Sequence, residues 1–364
     1  MTPTFAPVHH AGPRLHITGS RHARPSFGRV AYCDGSLDEH FREGVDLELS
    51  HWMPNRTPAA LKADTSTGIA LNFVAQPDAP AVDGVINNHA DTDGVLSTFA
   101  VCHPALALAH RDTLVQAATM GDFLGWGEAD AQHLFQVLAL QRRTLEAAKA
   151  DPLELYRALH GLVVRVLQGE RVADTAPGLA ALQRAVRHLE DGRIERRLLA
   201  PRLVHYRIPA WLADGVDERI GWLPAHDEPV HPQAVLPPAV RARTDAERLQ
   251  LLSVQRGDGW THDLCVPGYT WAETVTVWRV PGLRHDVRIN RYLFDHAPLT
   301  AAAARLDDLE RGTGRWRVAE GLDPFGSLPG RRFPVLLSYV ADDGPAVSRL
   351  APDQVAAVLM PLTW

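Results

Sequence analysis

The stretch VINNHADTDGVLS, residues 85–97, ends an apolar run on His89, Asp91 and Asp93, with Gly94 directly after them. Few folds accommodate such a junction. GVINN (84–88) reads as a short buried strand, and GVLSTFAVCHP (94–104) leads away from it as a helix ended by Pro104. Open α/β sheets bind ligands at the carboxyl ends of their strands, where the next helix begins. Carboxylates two residues apart repel unless water, a cation or hydrogen-bond donors absorb the charge. Gly94 permits a tight turn that aims the three side chains into one small volume. The same letters also fit a plain strand-to-helix turn with aspartates capping the helix, although capping rarely needs three ionisable groups.

Imidazole with carboxylates suits Mn²⁺, Mg²⁺ or another divalent ion better than a thiol-seeking metal. A calcium hand is excluded by register. With Gly94 at the sixth loop position, His89 falls where Asp is needed and Ala100 where Glu is needed.

The rest of the chain bounds the setting. Its 364 residues suffice for one large or two ordinary domains, and 46% hydrophobic with 22% charged residues is the balance of a soluble globular protein. A net charge of −6 argues against a duplex nucleic acid partner, which needs a concentrated basic surface. The Arg-rich stretch 193–202, interleaved with glutamate and leucine, reads as a solvated helix face. Cys33, Cys102 and Cys265 are few and far apart, and no C-x-x-C pair supports a zinc ribbon or disulfide framework. The first residues lack a signal-peptide core, and no run approaches ~18 apolar residues. The expectation is a cytoplasmic protein with no membrane span.

The pattern implies an α/β fold with a mainly parallel central sheet and flanking helices, plus a C-terminal α+β part. The expected organisation is an irregular arm over 1–25, an α/β domain over 26–197 carrying the site, and an α+β domain over 198–364. RVAYCDG (29–35) and VDLELSHW (45–52) read as strands, and TSTGIALNFVAQ (65–76) as a helix or a strand. Helices are expected over 105–123, 128–150 and 176–192, with a further one starting at Asp151-Pro152. Asp151, Pro152 and Glu154 form a capping-box start, and Leu155, Leu159, Leu162, Val163 and Val166 share one face. After about residue 200, strand-like segments appear at 202–209, 261–267, 273–281 and 333–340, with helices at 298–312 and 351–360. Residues 224–248 read as a long connecting loop.

The segment H-x-D-x-D-G-x-x-S after a buried strand resembles the first motif of the DHH-type phosphoesterases. These include RecJ-like exonucleases, nano-RNases, cyclic-dinucleotide hydrolases and family II pyrophosphatases. The resemblance covers about a dozen residues. It implies that His89, Asp91 and Asp93 hold Mn²⁺ ions that activate water against a phosphorus centre, with Gly94 and Ser97 forming the turn. The family's second motif is a strand ending in a single Asp, which Asp34 in RVAYCDG resembles. Its name-giving Asp-His-His is represented by Ser50-His51-Trp52, of which only His51 survives, and Asp122 in AATMGDF resembles a later metal aspartate. Two of these elements precede the first motif instead of following it, so the resemblance implies a permuted and divergent member.

The resulting expectation is a metal-dependent hydrolase of a small phosphorylated or nucleotide-like substrate. His51 and His89 are its candidate catalytic residues, and Asp34, His89, Asp91, Asp93 and Asp122 its candidate ligands for Mn²⁺ or Mg²⁺. The alternatives are a catalytically degenerate ligand- or partner-binding protein, or a metal-dependent hydrolase of a non-phosphate bond. Plainer readings stand beside each residue: His51-Trp52 as a packed aromatic pair, Asp122 as a solvated helix end, and His110-Arg111-Asp112 as a surface ion pair within a helix. HDEPVH (226–231) cannot form a zincin helix because Pro229 interrupts it, and reads as a flexible loop. In GWTHDLCVPGYTW (259–271), Cys265 and His262 are a conceivable nucleophile pair and Trp260, Tyr269 and Trp271 a conceivable flat pocket, but a packed strand is the simpler account. No Gly-x-Ser-x-Gly, P-loop or dinucleotide glycine motif occurs.

Overall fold

Four short apolar runs, each bounded by Gly, Asp or Pro, become the strands of a parallel sheet: β1 (Arg14–Ile17), β2 (Val30–Cys33), β3 (Leu47–Leu49) and β4 (Gly84–Asn87). The computed structural model describes residues 12–362 apart from 22, 24, 36–39, 267–271, 277–281, 290, 322–326 and 333. The sheet order is β1-β4-β2-β3, and every pairing is parallel. Residues 14–17 therefore correct the expectation of an irregular arm over 1–25, since they add a strand to the edge of this sheet. At four residues, the alternation of RLHI is too short to stand out from the Pro and Gly on either side.

The ambiguous run after Thr65 is a helix, α1 (Ser66–Val74), because the Thr65 hydroxyl accepts from the Gly68 amide and caps it. The helix expected after β4 is α2 (Thr92–Cys102), capped by the Asp91 side chain. The stretch expected as one helix over 105–123 is broken at His110 into α3 (Pro104–Ala109) and α4 (Arg111–Asp122). Arg111 there donates to Asn72 of α1, so it serves a contact between helices and not a surface ion pair. The long helices are α5 (Ala129–Ala147), α6 (Pro152–Leu167) and α7 (Ala176–Glu190). Asp151 caps α6 as expected, but Glu154 is ion-paired with Arg157 and does not close a capping box.

The second sheet is larger and mixed. Its strands are β5 (Glu195–Ala200), β6 (Leu203–Ile208), β7 (Leu249–Arg256) and β8 (Gly259–Cys265), then β11 (Arg315–Val318), β14 (Val335–Ala341) and β15 (Gly344–Pro345). Between β6 and β7 lie α8 (Ala210–Ala213), α9 (Glu218–Gly221) and α10 (Pro238–Asp245), so 224–248 is not one connecting loop. The exposed hairpin β9 (Leu283–Asp286) and β10 (Arg291–Phe294) precedes α11 (Ala297–Leu309). The chain continues through β11 (Arg315–Val318), the small hairpin β12 (Ser327–Leu328) and β13 (Arg331–Arg332), then β14 (Val335–Ala341), β15 (Gly344–Pro345) and α12 (Pro352–Leu359). Of the segment 273–281, residues 277–281 lie outside the described residues, and 273–276 carry no strand.

Only β6 and β7 pair in parallel in this sheet; the other neighbours are antiparallel. The expectation of a mainly parallel sheet therefore holds for the four-stranded sheet alone. The cause is turn length. Two residues join β7 to β8, with Gly257 at φ 56, and so short a link can only reverse the chain. The Arg-rich stretch is likewise a solvated edge strand, β5, and not a helix face, because Gly192 (φ 69) ends α7 before it.

Alternation along β6 and β7 explains how this sheet is covered on both faces. Val204, Tyr206, Leu252 and Val254 join one core with α1, α2 and α4–α7, whereas Leu203, Leu249 and Leu251 join a second with α11 and α12. Buried polar groups within the sheet bond one another. The Leu350 carbonyl can only accept, so His262 donates from Nε2; the Ser253 hydroxyl then donates to His262 Nδ1 and accepts from His205 Nε2. Burial pushes the Cys265 thiol up to about 11 and holds His262 down at about 4, so this pair is structural and not a nucleophile with its base. Trp260 belongs to β8, whereas Tyr269 and Trp271 lie outside the described residues. Among the described residues no helix is long and apolar enough to cross a membrane.

Burial holds His160 and His205 down at about 3, as it holds His262 at about 4. An unfolded chain protonates these imidazoles near pH 6.5, so between about pH 6.5 and 4 it binds more protons than the native state, and stability falls as pH falls. Glu48, Asp93 and Asp122, whose carboxyl groups burial raises, act in the opposite direction in the same range, so the imidazole contribution is read as a difference between two proteins. In urea unfolding at pH 7.5, 6.0 and 5.0, His160→Gln should gain stability relative to the unaltered protein as pH falls, by up to about 1.4 kcal/mol per pH unit, and a constant difference would contradict the assignment.

Candidate metal centre

Every residue of the centre sits at an element end that the sequence makes abruptly. Asp34 follows β2 with φ 47, in the left-handed region where a non-glycine residue costs roughly 1–2 kcal/mol. It is held there by Gly35, whose amide donates to Ser50 Oγ, and by its own amide on the Leu49 carbonyl. His51 follows β3, Asp91 and Asp93 open α2, and Asp122 is the last residue of α4. The spatial order β4-β2-β3 brings the first three strand ends side by side, whatever their order in the chain.

Two overlapping groups result. Asp34, His51, Asp93 and Asp122 each bring one ligand atom within 4.8 Å of the others, and so do Asp34, His89 and Asp91. All six site residues expected from the sequence are thereby gathered, with Asp34 common to both groups. His51 Nε2 is 3.2 Å from Asp122, 3.5 Å from Asp34 and 3.7 Å from Asp93. His89 Nε2 is 2.9 Å from Asp91 and 3.2 Å from Asp34. His51, Asp34 and Asp93 have no exposed surface, whereas the His89 side chain is 35% exposed, so the centre opens on the His89 side.

The polar partners of these groups orient them. The Asp64 carbonyl accepts from His51 Nδ1 at 2.7 Å, and the Asn88 side-chain oxygen accepts from His89 Nδ1 at 2.7 Å. In neutral His51 the lone pair is then on Nε2, facing the carboxylates, as in histidine that binds metal, whereas His89 Nε2 meets Asp91 Oδ2 at 2.9 Å and must lose its proton to bind an ion. Asp93 accepts from the Ser66 and Thr67 amides, both at 2.7 Å, so the N-terminus of α1 carries its charge. Asp34 accepts from Ser66 Oγ at 2.8 Å and from the Trp52 indole at 3.1 Å. Asp91 accepts from the Gly94 amide at 2.8 Å, so the capping role and the site role belong to the same side chain. Trp52 packs edge-on to His51, as the aromatic-pair reading expects, and also to His89, without displacing the functional reading.

Electrostatics make this cluster unstable on its own terms. Burial, then repulsion from Asp34, pushes Asp93 up to about 6. Asp122 is pushed well above the carboxylate range by burial and by Asp93, Asp91 and Asp34. Burial also opposes the charge of Asp91 and His89, but their mutual attraction outweighs it, holding Asp91 low and lifting His89 to about 11. Asp122 Oδ1 is buried with no hydrogen-bond donor among the described residues. A divalent cation answers the carboxylate repulsion: it neutralises the carboxylates and takes the Nε2 lone pair of His51, and that of His89 once its proton is displaced. Oxygen and imidazole donors without a thiolate suit Mn²⁺ or Mg²⁺.

Several contributors were not legible from spacing. Ser66 and Thr67 act through backbone amides, which no residue pattern reveals, although the Thr-Ser-Thr opening of α1 marked a helix start. HDEPVH, expected as a flexible loop, is instead anchored against the centre. Asp227 is buried, accepts from the Thr92 hydroxyl and lies 3.1 Å from Arg142, while His226 Nε2 lies 3.9 Å from Asp122. The density of ionisable residues in 226–231 was the available signal.

Together these features define an α/β protein whose parallel sheet carries a buried acidic and histidine cluster able to hold a metal ion. A model of the DUF6687 family, a family of unknown function, matches residues 33–332, and the chain belongs to that family. The matched span contains all six residues of the cluster. No curated protein and no solved structure matches the chain.

Because Asp122 is buried among like charges, Asp122→Asn should leave the melting temperature in EDTA equal to or above that of the unaltered protein. Mn²⁺ at about 100 times its Kd should stabilise the unaltered protein by about 2.7 kcal/mol and the variant much less. A lower melting temperature for the variant in EDTA, or equal Mn²⁺ responses, would contradict the account.

Proposed function

We propose that this protein is a metal-dependent hydrolase of the DHH-phosphoesterase type, acting on a small phosphorylated or nucleotide-like substrate. The observation that carries the reading is the sharing of Asp34 by two ligand groups. A shared carboxylate between neighbouring cation sites is the arrangement that phosphoryl-transfer chemistry uses. The resemblance of HADTDGVLS to the family's first motif supports the same reading. Two of its companions, Asp34 and His51, precede it in the chain, and the neighbouring positions of β4, β2 and β3 in the sheet are compatible with a permuted order.

Mn²⁺ or Mg²⁺ held by Asp34, His51, Asp93 and Asp122, or by Asp34, His89 and Asp91, would lower the pKa of bound water and stabilise charge on phosphoryl oxygens. The chain's own residues set up that chemistry. His51, anchored on the Asp64 carbonyl, and Asp93, anchored on the α1 amides, hold the inner side rigid. His89 stands at the open side, where substrate enters, with Trp52 beside it. Trp52 occupies the place where the resemblance expects a histidine, and its indole donates to Asp34. That substitution favours a second reading, a ligand-binding protein without turnover.

Phosphate or alcohol release should be measured with Mn²⁺ on pyrophosphate, mononucleotides, linear and cyclic dinucleotides and an aryl phosphodiester, with carboxylic esters alongside. The expected result is Mn²⁺-dependent turnover of a phosphorylated substrate, reduced on the order of 10²–10³-fold or more by Asp93→Asn. Turnover of esters alone would move the chemistry to a non-phosphate bond. Tight binding of a nucleotide with no turnover would establish the second reading.

A further inference from the structure

Asp122 is the ligand least supported by its own surroundings. Its Oδ2 faces His51 at 3.2 Å, whereas Oδ1 is buried with no hydrogen-bond donor among the described residues. A candidate donor is His226 Nε2, 3.9 Å from Oδ1 on a side chain only 20% exposed. We propose that His226, from the loop between α9 and α10, is a positioning residue that donates from Nε2 to the outer oxygen of Asp122 and so aims the other oxygen at the ion. The inference rests on the reading of the cluster as a metal centre. A metal-bound carboxylate is itself oriented by a hydrogen bond to its outer oxygen. A shift of about 1 Å brings the pair to hydrogen-bond length.

The construction around His226 is what distinguishes it from a chance neighbour. Asp227 beside it has φ 54, a left-handed conformation that an aspartate adopts at a cost and that surrounding contacts must enforce. Those contacts are specific. Arg142 of α5 donates to the Asp227 carbonyl at 2.7 Å and to the Ala90 carbonyl at 2.9 Å, and pairs with the Asp227 carboxylate at 3.1 Å. Thr92 of α2 donates to the same carboxylate. Further along, Gln136 exchanges hydrogen bonds with both backbone groups of Val230, at 2.8 and 2.9 Å. Arg142 thus ties one loop end to Ala90, between His89 and Asp91, so the loop is referenced to the ligand segment itself.

Gly121 completes the fit. A Cβ there would fall 2.7 Å from Asp227 Oδ1 and 3.0 Å from Thr92 Cβ, so only glycine lets the end of α4 approach the loop this closely. That approach sets the distance between Asp122 and His226. The loop conformation, the arginine clamp and the glycine contact all serve one juxtaposition, that of an imidazole against the unsatisfied oxygen of a ligand.

Mn²⁺ binding, measured by calorimetry and by the electron paramagnetic resonance of the bound ion, tests the proposal without reference to activity. His226→Ala should weaken Mn²⁺ affinity about 10–100-fold and alter the bound-ion spectrum. Its melting temperature in EDTA should stay within a few degrees of the unaltered protein's. His226→Gln, whose amide can still donate, should recover most of the affinity. Wild-type affinity in a folded His226→Ala protein would overturn the proposal, as would equal losses in the Ala and Gln variants. If the unaltered protein takes up no Mn²⁺, the metal-centre reading fails and takes this inference with it. If it binds Mn²⁺ but hydrolyses nothing, only the phosphoesterase reading fails.

Discussion

Everything in the first half of this protein is arranged around the repulsion between Asp34, Asp91, Asp93 and Asp122. Four carboxylates held so close inside a protein are tolerated only where each has a compensating partner. The fold supplies these partners from structures that strand ends create anyway. The first amides of α1 serve Asp93, the first turn of α2 serves Asp91, and a serine hydroxyl and an indole serve Asp34. Asp122 has the least help, and it is there that a loop from the second half of the chain arrives. A site so incompletely neutralised by protein groups could hold a cation.

The second half is more than a neighbour. One hydrophobic core runs from α1, α2 and α4–α7 onto Tyr206, Leu252 and Val254 of the mixed sheet. The polar contacts follow the same route. Asp64, whose carbonyl anchors His51, also accepts from Thr276 through its side chain, and Lys62 pairs with Glu273. The Arg142–Asp227 pair is half of a similar tie on the other side. Buried ion pairs add little net stability, since desolvation offsets attraction, but they specify one arrangement over its alternatives. Here that arrangement is the position of the 223–237 loop against the cluster.

The legible parts of the molecule were those written in local patterns. A Cys33-Asp34-Gly35 strand end, a capped α6 with its Leu155–Val166 stripe, and HADTDG after an apolar strand all announced themselves. So did the identity of the six residues at the centre, because motif resemblance and residue chemistry pointed to the same positions. The misreadings have physical causes. β1 is only four residues long, too short for its alternation to stand out beside the Pro and Gly around it, and β5 is an exposed edge whose charged side chains resemble a helix face. The loop at 224–232 looked unconstrained because its constraint, Arg142, lies some eighty residues earlier in the chain.

What the sequence determined by itself is the chemistry available: which carboxylates and imidazoles stand at strand and helix ends, and that no thiol site, P-loop or calcium hand accompanies them. It determined this because ends of elements are local events, set by glycine, proline and capping residues. Only the tertiary structure decided that Asp34 belongs to two groups of ligands at once, and that His51 and Asp122 meet. Sheet order and helix packing make those contacts across tens of residues, and no spacing along the chain encodes them. The placement of His226 against Asp122 is the furthest such case, since it depends on a clamp, a glycine contact and a loop contributed by different elements.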